Sequence, residues 1–402
     1  MYCGDEVGAF VGDVGSLNAK FGYAGEDTPN VVFPSCMGVR PATNERIVGQ
    51  SALNSCHDIT ALPRAISTME DKTNYNWDVM EKLWLHAFDE LNVDPTQHAV
   101  LTCLSPFDMH ESASYMELMF EKFNVPACYV AKDAMLNAFS FGKSTALVCD
   151  IGASSARVVP VVEGYCLKGS SSRSTVGGEA LTAQLSSILL EKLKIDIQPG
   201  VRKYTDGASK PLTSVSSEYR NFRIMEIVRD MKESLCSMPE TTLQEDLAES
   251  VAPETYELPD GQVVTLAAER FKVPEKLFHP DVIAADSTTV DSASKGLHRM
   301  VYNAVQSSDA DVRKDLLYNM ILCGGGSGLS GLTERLHWEV SQMVPSATYK
   351  VRLAQVSAIE RKFSAWIGGS ILASLGSFQQ LWVSKREYDE HGAEAMAASR
   401  FL

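Results

Sequence analysis

The sequence predicts an α/β protein of two or three domains with a phosphate-binding site built from two matching hairpins. The chain has 402 residues, more than an ordinary single domain, and 45% of them are apolar and 22% charged, as in folded globular proteins. The chain contains both strand-like apolar runs and helical stretches, and one short pattern of residues occurs twice. This composition excludes collagen-like, mucin-like and wholly disordered chains.

The repeated pattern is an apolar run followed by Asp-x-Gly, a small residue and, seven positions after the Asp, a basic side chain. The segment FVGDVGSLNAKFG places Lys20 after Asp13 in this way. The segment LVCDIGASSARVV places Arg157 after Asp150 at the same spacing. Apolar residues on both sides of a glycine turn predict a β-hairpin in each case.

Such hairpins are suited to phosphate binding. N–H groups exposed in a glycine turn form a cradle for anionic oxygens, and an adjacent carboxylate can hold a hydrated divalent cation. Asp-x-Gly is also a common tight turn without any ligand, and a single copy would favour that interpretation. The duplication at matched spacing favours two hairpins that hold a phosphate chain from both sides.

A third glycine cluster, MILCGGGSGLSGL at 320–332, follows a strand-like run and precedes the helical stretch ERLHWEVSQM. Glycines between a strand and a helix allow the backbone to pass close to a nucleotide. Helical periodicity over 225–235 predicts a helix with one apolar face, formed by Ile227, Met231 and Leu235. The opposite face, expected from the pattern alone to be solvated, carries Glu226, Arg229, Lys232 and Glu233.

An amphipathic stretch near the C-terminus, within 360–388, predicts a helix that packs on the core. Its core-facing residues are expected to be Ile367, Ile371, Leu375 and Phe378. Segments 194–220 and 281–310 are richer in Ser, Thr, Asp and Gly and show no clear periodicity, so they are predicted to be insertions and loops.

The charge balance limits the classes of ligand. Lys and Arg total 36 against 51 Asp and Glu, a net charge of −15, which is unsuited to gripping nucleic acid through its phosphates. No apolar run approaches the ~18 residues of a membrane span, and no secretory signal is evident. The nine cysteines occur singly, and neither they nor the histidines show zinc-site spacing, which favours reduced thiols in a cytosolic or nuclear protein.

Beyond the paired hairpins, three motifs closely resemble actin: TYELPDGQVVTLAAERFKVPEKLF (255–278), DVRKDL (311–316) and ERKFSAWIGGSILASLGSFQQLWVSKREYDEHG (360–392). The resemblance covers almost the whole chain. It implies the actin-like two-lobed α/β fold, shared with chaperone ATPases and sugar kinases, with ATP and Mg²⁺ or Ca²⁺ in the cleft between the lobes. The implied subdomains are 1–33 with 67–141 and 362–402; 34–66; 142–176 with 288–361; and 177–287.

The resemblance also implies the residues of the site. Asp13 and Asp150 would face the water shell of the cation. Lys232 and Glu233 would border the adenine and ribose, so the resemblance assigns them to the nucleotide site although the pattern alone predicts a solvated face. The implied nucleotide-binding residues are Gly15, Ser16, Leu17, Lys20, Gly152, Ala153, Ser154, Lys232, Glu233, Gly324, Gly325, Gly326, Leu329 and Lys362.

Four departures from actin bear on activity. Asp133 aligns with the actin Gln that orients the attacking water, and Arg157 replaces a His of the second hairpin. Since phosphoryl transfer needs a neutral group to place the water, these changes predict slow or absent ATP hydrolysis and no catalytic residue. Leu17 and Leu329 replace a Gly and the adenine-stacking Tyr, but the remaining glycines and acids favour retained binding.

The remaining departures resemble the nuclear actin-related protein 4 class. They are the acidic start MYCGDEV, the longer 194–207 and 281–310 segments, extra residues in 353–363, and a shortened loop at 35–48. That loop inserts into the next subunit of an actin filament, so its shortening predicts a chain that does not polymerise alone.

Members of this class are non-filamentous subunits of chromatin-remodelling and histone-acetyltransferase complexes that serve transcription and DNA repair. The implied partners are nuclear actin and an amphipathic helix of a remodelling ATPase or acetyltransferase scaffold; contact with histones is left open, and no sequence-specific nucleic-acid or membrane binding is expected. The implied location is the nucleus, with some protein in the cytoplasm. The implied helix groove, which could equally be plain core, comprises Phe139, Gly142, Ile367, Ile371, Leu372, Leu375 and Leu381.

Three classes of function follow from these observations. The favoured one is a scaffold subunit in which ATP ties the two lobes together. The second is a divergent actin that polymerises and hydrolyses ATP, which the shortened loop disfavours. The third is another ATPase of the same fold, a sugar kinase or chaperone motor, for which the actin-like C-terminus leaves no room.

Overall fold

The predicted α/β class is confirmed by a computed structural model, which describes residues 8–41, 43–55, 58–69, 72–198, 202–205, 208–211, 215–242, 252–280 and 296–401. The strands are β1 (Phe10–Val14), β2 (Asn18–Tyr23), β3 (Val31–Pro34), β4 (Gly38–Arg40), β5 (Glu45–Ile47), β6 (Ile66–Met69), β7 (Lys72–Tyr75), β8 (Val100–Leu104), β9 (Ala127–Lys132), β10 (Ala146–Ile151), β11 (Ala156–Val162), β12 (Tyr165–Cys166), β13 (Ser172–Ser174), β14 (Arg202–Thr205), β15 (Ala208–Pro211), β16 (Glu254–Glu257), β17 (Val263–Leu266), β18 (Met320–Cys323) and β19 (Val383–Ser384).

The helices connect these strands and cover the sheets. They are α1 (Gln50–Ser55), α2 (Trp77–Glu90), α3 (Ser112–Glu117), α4 (Asp133–Ser140), α5 (Gly178–Ser187), α6 (Ser217–Leu235), α7 (Glu269–Glu275), α8 (Leu297–Gln306), α9 (Arg313–Tyr318), α10 (Leu332–Met343), α11 (Ala358–Ser374), α12 (Lys385–His391) and α13 (Ala393–Arg400). Within the described part of the chain, no helix combines the length and apolarity needed to cross a membrane.

The first lobe is organised by a six-stranded sheet in the order β19-β9-β8-β1-β2-β3. Strand β1 pairs antiparallel with β2, as the hairpin pattern predicts, and parallel with β8 on its other edge. The apolar residues of β1 and β2 bury aromatic side chains, including Phe10 and Phe21, against Trp84 of α2. The sheet therefore holds the first hairpin firmly on the core of this lobe.

The second lobe repeats this arrangement. Its sheet has the order β12-β11-β10-β18, with β13 also paired to β11. Strand β10 pairs antiparallel with β11 and parallel with β18, just as β1 pairs with β2 and β8. The two predicted hairpins thus occupy equivalent central positions in two similar sheets, and the two-lobed fold that the resemblance implies is confirmed.

Helices α4 and α11 pack against each other and connect the lobes. Helix α4 contacts β9 and β10, which belong to different sheets, and α11 contacts β1 as well as β18. The helices approach closely because a Cβ atom on Gly368 would overlap the carbonyl oxygen of Leu136. Ser357 and Glu360 form a capping box that starts α11, and Trp366 donates from its indole Nε1 to the carbonyl of Val11 at 3.1 Å.

The prediction that 194–220 and 281–310 are loops is wrong in three places. Strands β14 and β15 form a hairpin, α6 starts at Ser217 rather than 225, and α8 covers Leu297–Gln306. Helix α8 does have apolar residues at helical spacing, with Leu297, Val301 and Ala304 buried on one face. The polar residues before this helix diluted its pattern over the longer window, and 281–295 lie outside the described residues, as does the acidic start 1–7.

The predicted core-facing side of α11 is wrong in part: Phe378 is buried in the core and Ile367 packs against it, as predicted, but Ile371 and Leu375 are not buried. The residues that α11 buries include Trp366, Gly369 and Leu372, whereas Ile371 is 41% exposed and Leu375, just past the helix, is 46% exposed. Helix α11 packs between the two lobes. Its small residues permit this close approach and face inward, and its exposed aliphatic residues face outward. The subdomain boundaries drawn from the resemblance stay predictions.

Candidate functional site

The two hairpins present equivalent pairs of charged side chains. Asp13 lies opposite Lys20 in the β1–β2 register, with 2.5 Å between Lys20 Nζ and Asp13 Oδ2. Asp150 lies opposite Arg157 in the β10–β11 register, and the Arg157 guanidinium donates to Asp150 Oδ2. Although burial lowers the pKa of Lys20, the Asp13 carboxylate outweighs this effect and raises that pKa above its usual value.

The turns of the hairpins match as well. Gly15 donates its N–H to the carbonyl of Asn18 at 3.0 Å, and Gly152 donates to the carbonyl of Ser155 at 2.9 Å. A Cβ atom on either glycine would lie 3.2 Å from the carbonyl oxygen that closes its turn. Glycine therefore permits the same tight turn at both places, and the predicted duplication is a structural one.

A cavity of about 180 Å³ separates the two hairpins. It is lined by twelve of the residues assigned to nucleotide or metal: Asp13, Gly15, Ser16, Leu17, Lys20, Asp150, Gly152, Ala153, Ser154, Gly324, Gly325 and Lys362. The glycine loop after β18 completes one wall, because Gly324 has a positive φ of 83° and a Cβ atom there would overlap the Asp150 carboxylate.

Four assigned residues do not line this cavity. Gly326 packs against Ile151, and Leu329 packs on the core of the second lobe. Glu233 is exposed on α6. Lys232 is only 8% exposed. The expectation from the sequence pattern alone, that Lys232 lies on a solvated face, is therefore wrong.

Lys232 supports the second hairpin from behind. Its Nζ donates to the carbonyl of Gly178 and to Thr182 Oγ1, both at 3.0 Å, and burial lowers its pKa. Gly178 in turn donates its N–H to the carbonyl of Gly152 at 2.9 Å. One buried ammonium thus links α6 to the N-terminus of α5 and, through Gly178, to the turn at Gly152.

Asp133 and Arg157 meet at the floor of the cavity. Asp133 is the first residue of α4, and its Oδ2 accepts from Arg157 Nη1 at 2.6 Å, so that Arg157 bridges Asp133 and Asp150. Burial, together with the nearby Asp150 and Asp13 carboxylates, raises the pKa of Asp133 to about 6 despite the Arg157 guanidinium. Arg157 thus holds two of the carboxylates, Asp133 and Asp150, while Lys20 pairs with the third, Asp13.

These residues fit a nucleotide with a divalent cation. Asp13 and Asp150 offer oxygen ligands on facing hairpins, as hydrated Mg²⁺ or Ca²⁺ prefers. Lys20 and two side-chain-free glycine turns face the same space, which suits a chain of phosphates. Among the described residues, no group of three or more His, Cys, Asp or Glu side chains could hold a metal ion directly.

Sequence reasoning missed several residues of the cavity wall. Arg173 on β13 donates to Thr73 Oγ1 at 2.8 Å and to Thr68 Oγ1 at 3.1 Å, and its guanidinium lies 3.9 Å from Asp108. Tyr75 lines the same wall. No motif marks these residues, because the β6–β7 hairpin and β13 meet only when the two lobes come together.

An apolar surface lies at the other end of α4 and α11. Of the predicted groove, Ile371, Leu375 and Leu381 are 41–46% exposed, Phe139 and Ile367 are half-buried, and Gly142 is exposed. Leu372 is only 8% exposed and packs in the core, so its assignment to a docking surface is wrong.

Tyr165 was missed and extends this surface. It is 77% exposed and follows Gly164, at which a Cβ atom would lie 3.6 Å from the Phe139 ring. We call Phe139, Tyr165, Ile367, Ile371, Leu375 and Leu381 the apolar surface. An analysis of periodicity does not detect Tyr165, because it is a single aromatic residue in a strand of two residues.

Comparison with known proteins agrees with this architecture. The family model described as Actin matches residues 4–401. Actin-related protein 4 of Oryza sativa subsp. indica is 38% identical over 98% of both chains, and that of Arabidopsis thaliana is 36% identical over 98% of both. Actin-related protein 4 of Yarrowia lipolytica is 32% identical over 100% of this chain and 97% of its own. The structure has two matching hairpins in two similar sheets, and the sequence similarity extends along the whole chain. The chain therefore belongs to the actin family and is similar to actin-related protein 4.

Proposed function

We propose that this protein binds ATP with Mg²⁺ or Ca²⁺ as a structural ligand, hydrolyses it slowly or not at all, and does not polymerise. In this proposal it serves in the nucleus as a scaffold subunit of chromatin-remodelling and histone-acetyltransferase complexes, where it pairs with actin on a helix of the motor ATPase. The observation that carries the proposal is the Arg157 bridge between Asp133 and Asp150, set between two intact phosphate-facing turns.

The binding residues would divide the ligand between the lobes. Lys20 and the turn at Gly15 would hold the phosphates from the first lobe, and the turn at Gly152 would hold them from the second. Asp13 and Asp150 would hold the cation through water. The cation, when bound, supplies positive charge that offsets the repulsion between phosphates and carboxylates.

The floor of the cavity is poorly suited to hydrolysis. A water molecule that attacks the terminal phosphate must be oriented by groups that do not repel it or the developing negative charge. Asp133 presents a buried carboxylate there, and the guanidinium of Arg157 is already committed to two acids. The side chains therefore stabilise each other, and a carboxylate stands at the position where the actin family is expected to have a neutral Gln.

Two measurements test the nucleotide part of the proposal. Denaturing the purified protein should release ATP rather than ADP, and single-turnover hydrolysis should be slow. The double variant Asp133→Gln with Arg157→His should hydrolyse bound ATP at least about tenfold faster, because the added carboxylate and its cation are gone. Brisk hydrolysis by the wild type, or a wild type with only ADP, contradicts the proposal.

The scaffold part of the proposal rests on the apolar surface. Three of its aliphatic side chains, Ile371, Leu375 and Leu381, are exposed by more than two fifths, an arrangement that suits the apolar face of an amphipathic helix. The scaffold role itself is what the resemblance to the actin-related protein 4 class implies, and similar proteins carry that name.

A tagged pull-down from nuclear extract with mass spectrometry tests the partners. Recovery of a remodelling ATPase or acetyltransferase scaffold together with actin is expected for the wild type. Leu381→Asp should lose these partners, whereas Leu190→Asp, which changes a 59% exposed leucine elsewhere, should keep them. Recovery of cytoskeletal proteins, or filaments in a pelleting assay, would instead indicate a divergent polymerising actin.

A further inference from the structure

The first turn of α6 crosses from one lobe to the other at the mouth of the cleft. Most of α6 belongs to the second lobe, since Val228 and Met231 are buried in that core. Tyr219, near its start, is fully buried in a separate cluster with Leu53 and Ile59. Leu53 and Ile59 lie in the segment between β3 and β8, two strands of the first lobe's sheet, so one tyrosine joins two lobes.

Hydrogen bonds complete this contact. Tyr219 donates its hydroxyl to the carbonyl of Leu53 at 2.8 Å. Ser216, which caps α6 by accepting from the Tyr219 N–H, donates its hydroxyl to the carbonyl of Ile59 at 2.7 Å. Opening the cleft would leave both carbonyls without these donors and would expose an aromatic ring to water.

Charged and amide groups flank the buried contact. Gln50 Nε2 donates to Glu226 Oε1 at 3.2 Å, and Arg64 lies 2.5 Å from Glu179 of α5. These exposed pairs contribute little by themselves, because water and salt screen them. They do show that the two sides meet at more than one residue.

The closed edge leaves little room. Behind it lies a cavity of only about 40 Å³, bordered by Leu17 of the first hairpin turn and by Cys36 and Phe222 of the closing elements. That volume holds one or a few water molecules, far less than a nucleotide. The space beside the contact is therefore much smaller than the 180 Å³ cavity between the hairpins.

We propose that Tyr219 and Ser216 form a latch that holds the cleft closed and sets the rate at which bound nucleotide is released. The lobes are joined by α4 and α11 on one side of the cavity, and the latch joins them at the mouth, so rotation about the helix pair requires the latch to break. The latch deepens the proposed function, on which it rests, because it explains how ATP would stay bound as part of a scaffold.

The release rate of a fluorescent nucleotide tests the latch. The full-length protein is loaded with ethenoadenosine triphosphate and Mg²⁺ and then mixed with excess ATP. Tyr219→Phe, which keeps the ring but removes the hydroxyl, should release the probe about fivefold faster. Tyr219→Ala should release it more than about tenfold faster, because the ring is lost as well.

A matched control separates the latch from general loss of a tyrosine hydroxyl. Tyr388 donates to Glu121 Oε1 at 2.7 Å within the first lobe, so Tyr388→Phe should release the probe at the wild-type rate. Wild-type release rates in both Tyr219 variants would overturn the latch while leaving nucleotide binding intact.

Hydrogen–deuterium exchange keeps the two proposals distinguishable. If the wild type binds no probe, the proposed nucleotide function fails, and the latch is then judged without nucleotide. Amides of residues 50–55 and 217–221 should exchange faster in Tyr219→Phe than in Tyr388→Phe, with the remaining amides unchanged. Equal exchange in the two variants would overturn the latch.

Discussion

Replacing Asp133 with Asn should change how the stability of the nucleotide-free protein depends on pH. Asp133 is almost buried, with 13% of its side chain exposed, and shares Arg157 with a second carboxylate. Burial and the neighbouring acids raise its pKa from 3.8 to about 6. The folded protein therefore binds a proton at Asp133 more tightly than the unfolded chain does.

The sign of the effect follows from this raised pKa. Protonation of Asp133 contributes stability that is fully present below pH 3.8 and is lost as pH rises through about 6. Integrating between these two values gives a loss of roughly 1 kcal/mol from pH 5 to pH 7.5. Asp133→Asn cannot titrate, so it should not show this loss.

The assay is urea unfolding of nucleotide-stripped protein at several pH values, followed by intrinsic fluorescence. The difference in unfolding free energy between Asp133→Asn and wild type should increase by roughly 1 kcal/mol between pH 5 and pH 7.5. Asp58→Asn is the control, because Asp58 also pairs with an arginine, Arg40, but is 50% exposed. Parallel pH profiles for Asp133→Asn and wild type would refute the raised pKa.

Three further predictions concern stability. Arg157→Met should destabilise the nucleotide-free protein by about 3–5 kcal/mol, measured by urea unfolding, because it leaves two buried carboxylates without their cation; a loss below about 1 kcal/mol would contradict this. Gly368→Ala should cost roughly 3 kcal/mol in urea unfolding, because the added Cβ would overlap a backbone carbonyl of α4. Gly376→Ala, whose Cβ meets open space, should be close to neutral in the same assay. Burial lowers the pKa of His298 from 6.5 to about 4, so wild-type stability should fall as pH drops from 6.5 toward 4, and His298→Gln should remove this part of the fall.

The hairpins were predictable because their signal is local. An apolar run, a glycine turn and a basic residue at fixed spacing determine which side chains face each other across two paired strands, as Asp13 faces Lys20 and Asp150 faces Arg157. The strand, glycine loop and helix at 320–343 were predictable for the same reason. Their geometry depends on neighbours in sequence and not on the packing of the lobes.

The orientation of α11 was not predictable from its pattern. The strongest aliphatic stripe normally marks the buried side of a helix, yet Ile371 faces outward and Gly368 faces inward. Contact with α4 requires a small residue at the crossing, and this requirement outweighs the burial of a longer side chain. Only the packing of two helices between two sheets decides which face is buried.

The sequence by itself determined the α/β class, the duplicated glycine turns and the acids and bases of their hairpins. The tertiary structure decided which distant residues meet: the Arg157 bridge to Asp133, the support of a hairpin by Lys232, and the contact of Tyr219 with the opposite lobe. The physical reason is the separation along the chain over which each effect acts. Turn geometry and strand pairing act over a few residues, whereas burial and the electrostatics of the cleft arise only when the two lobes exclude water between them.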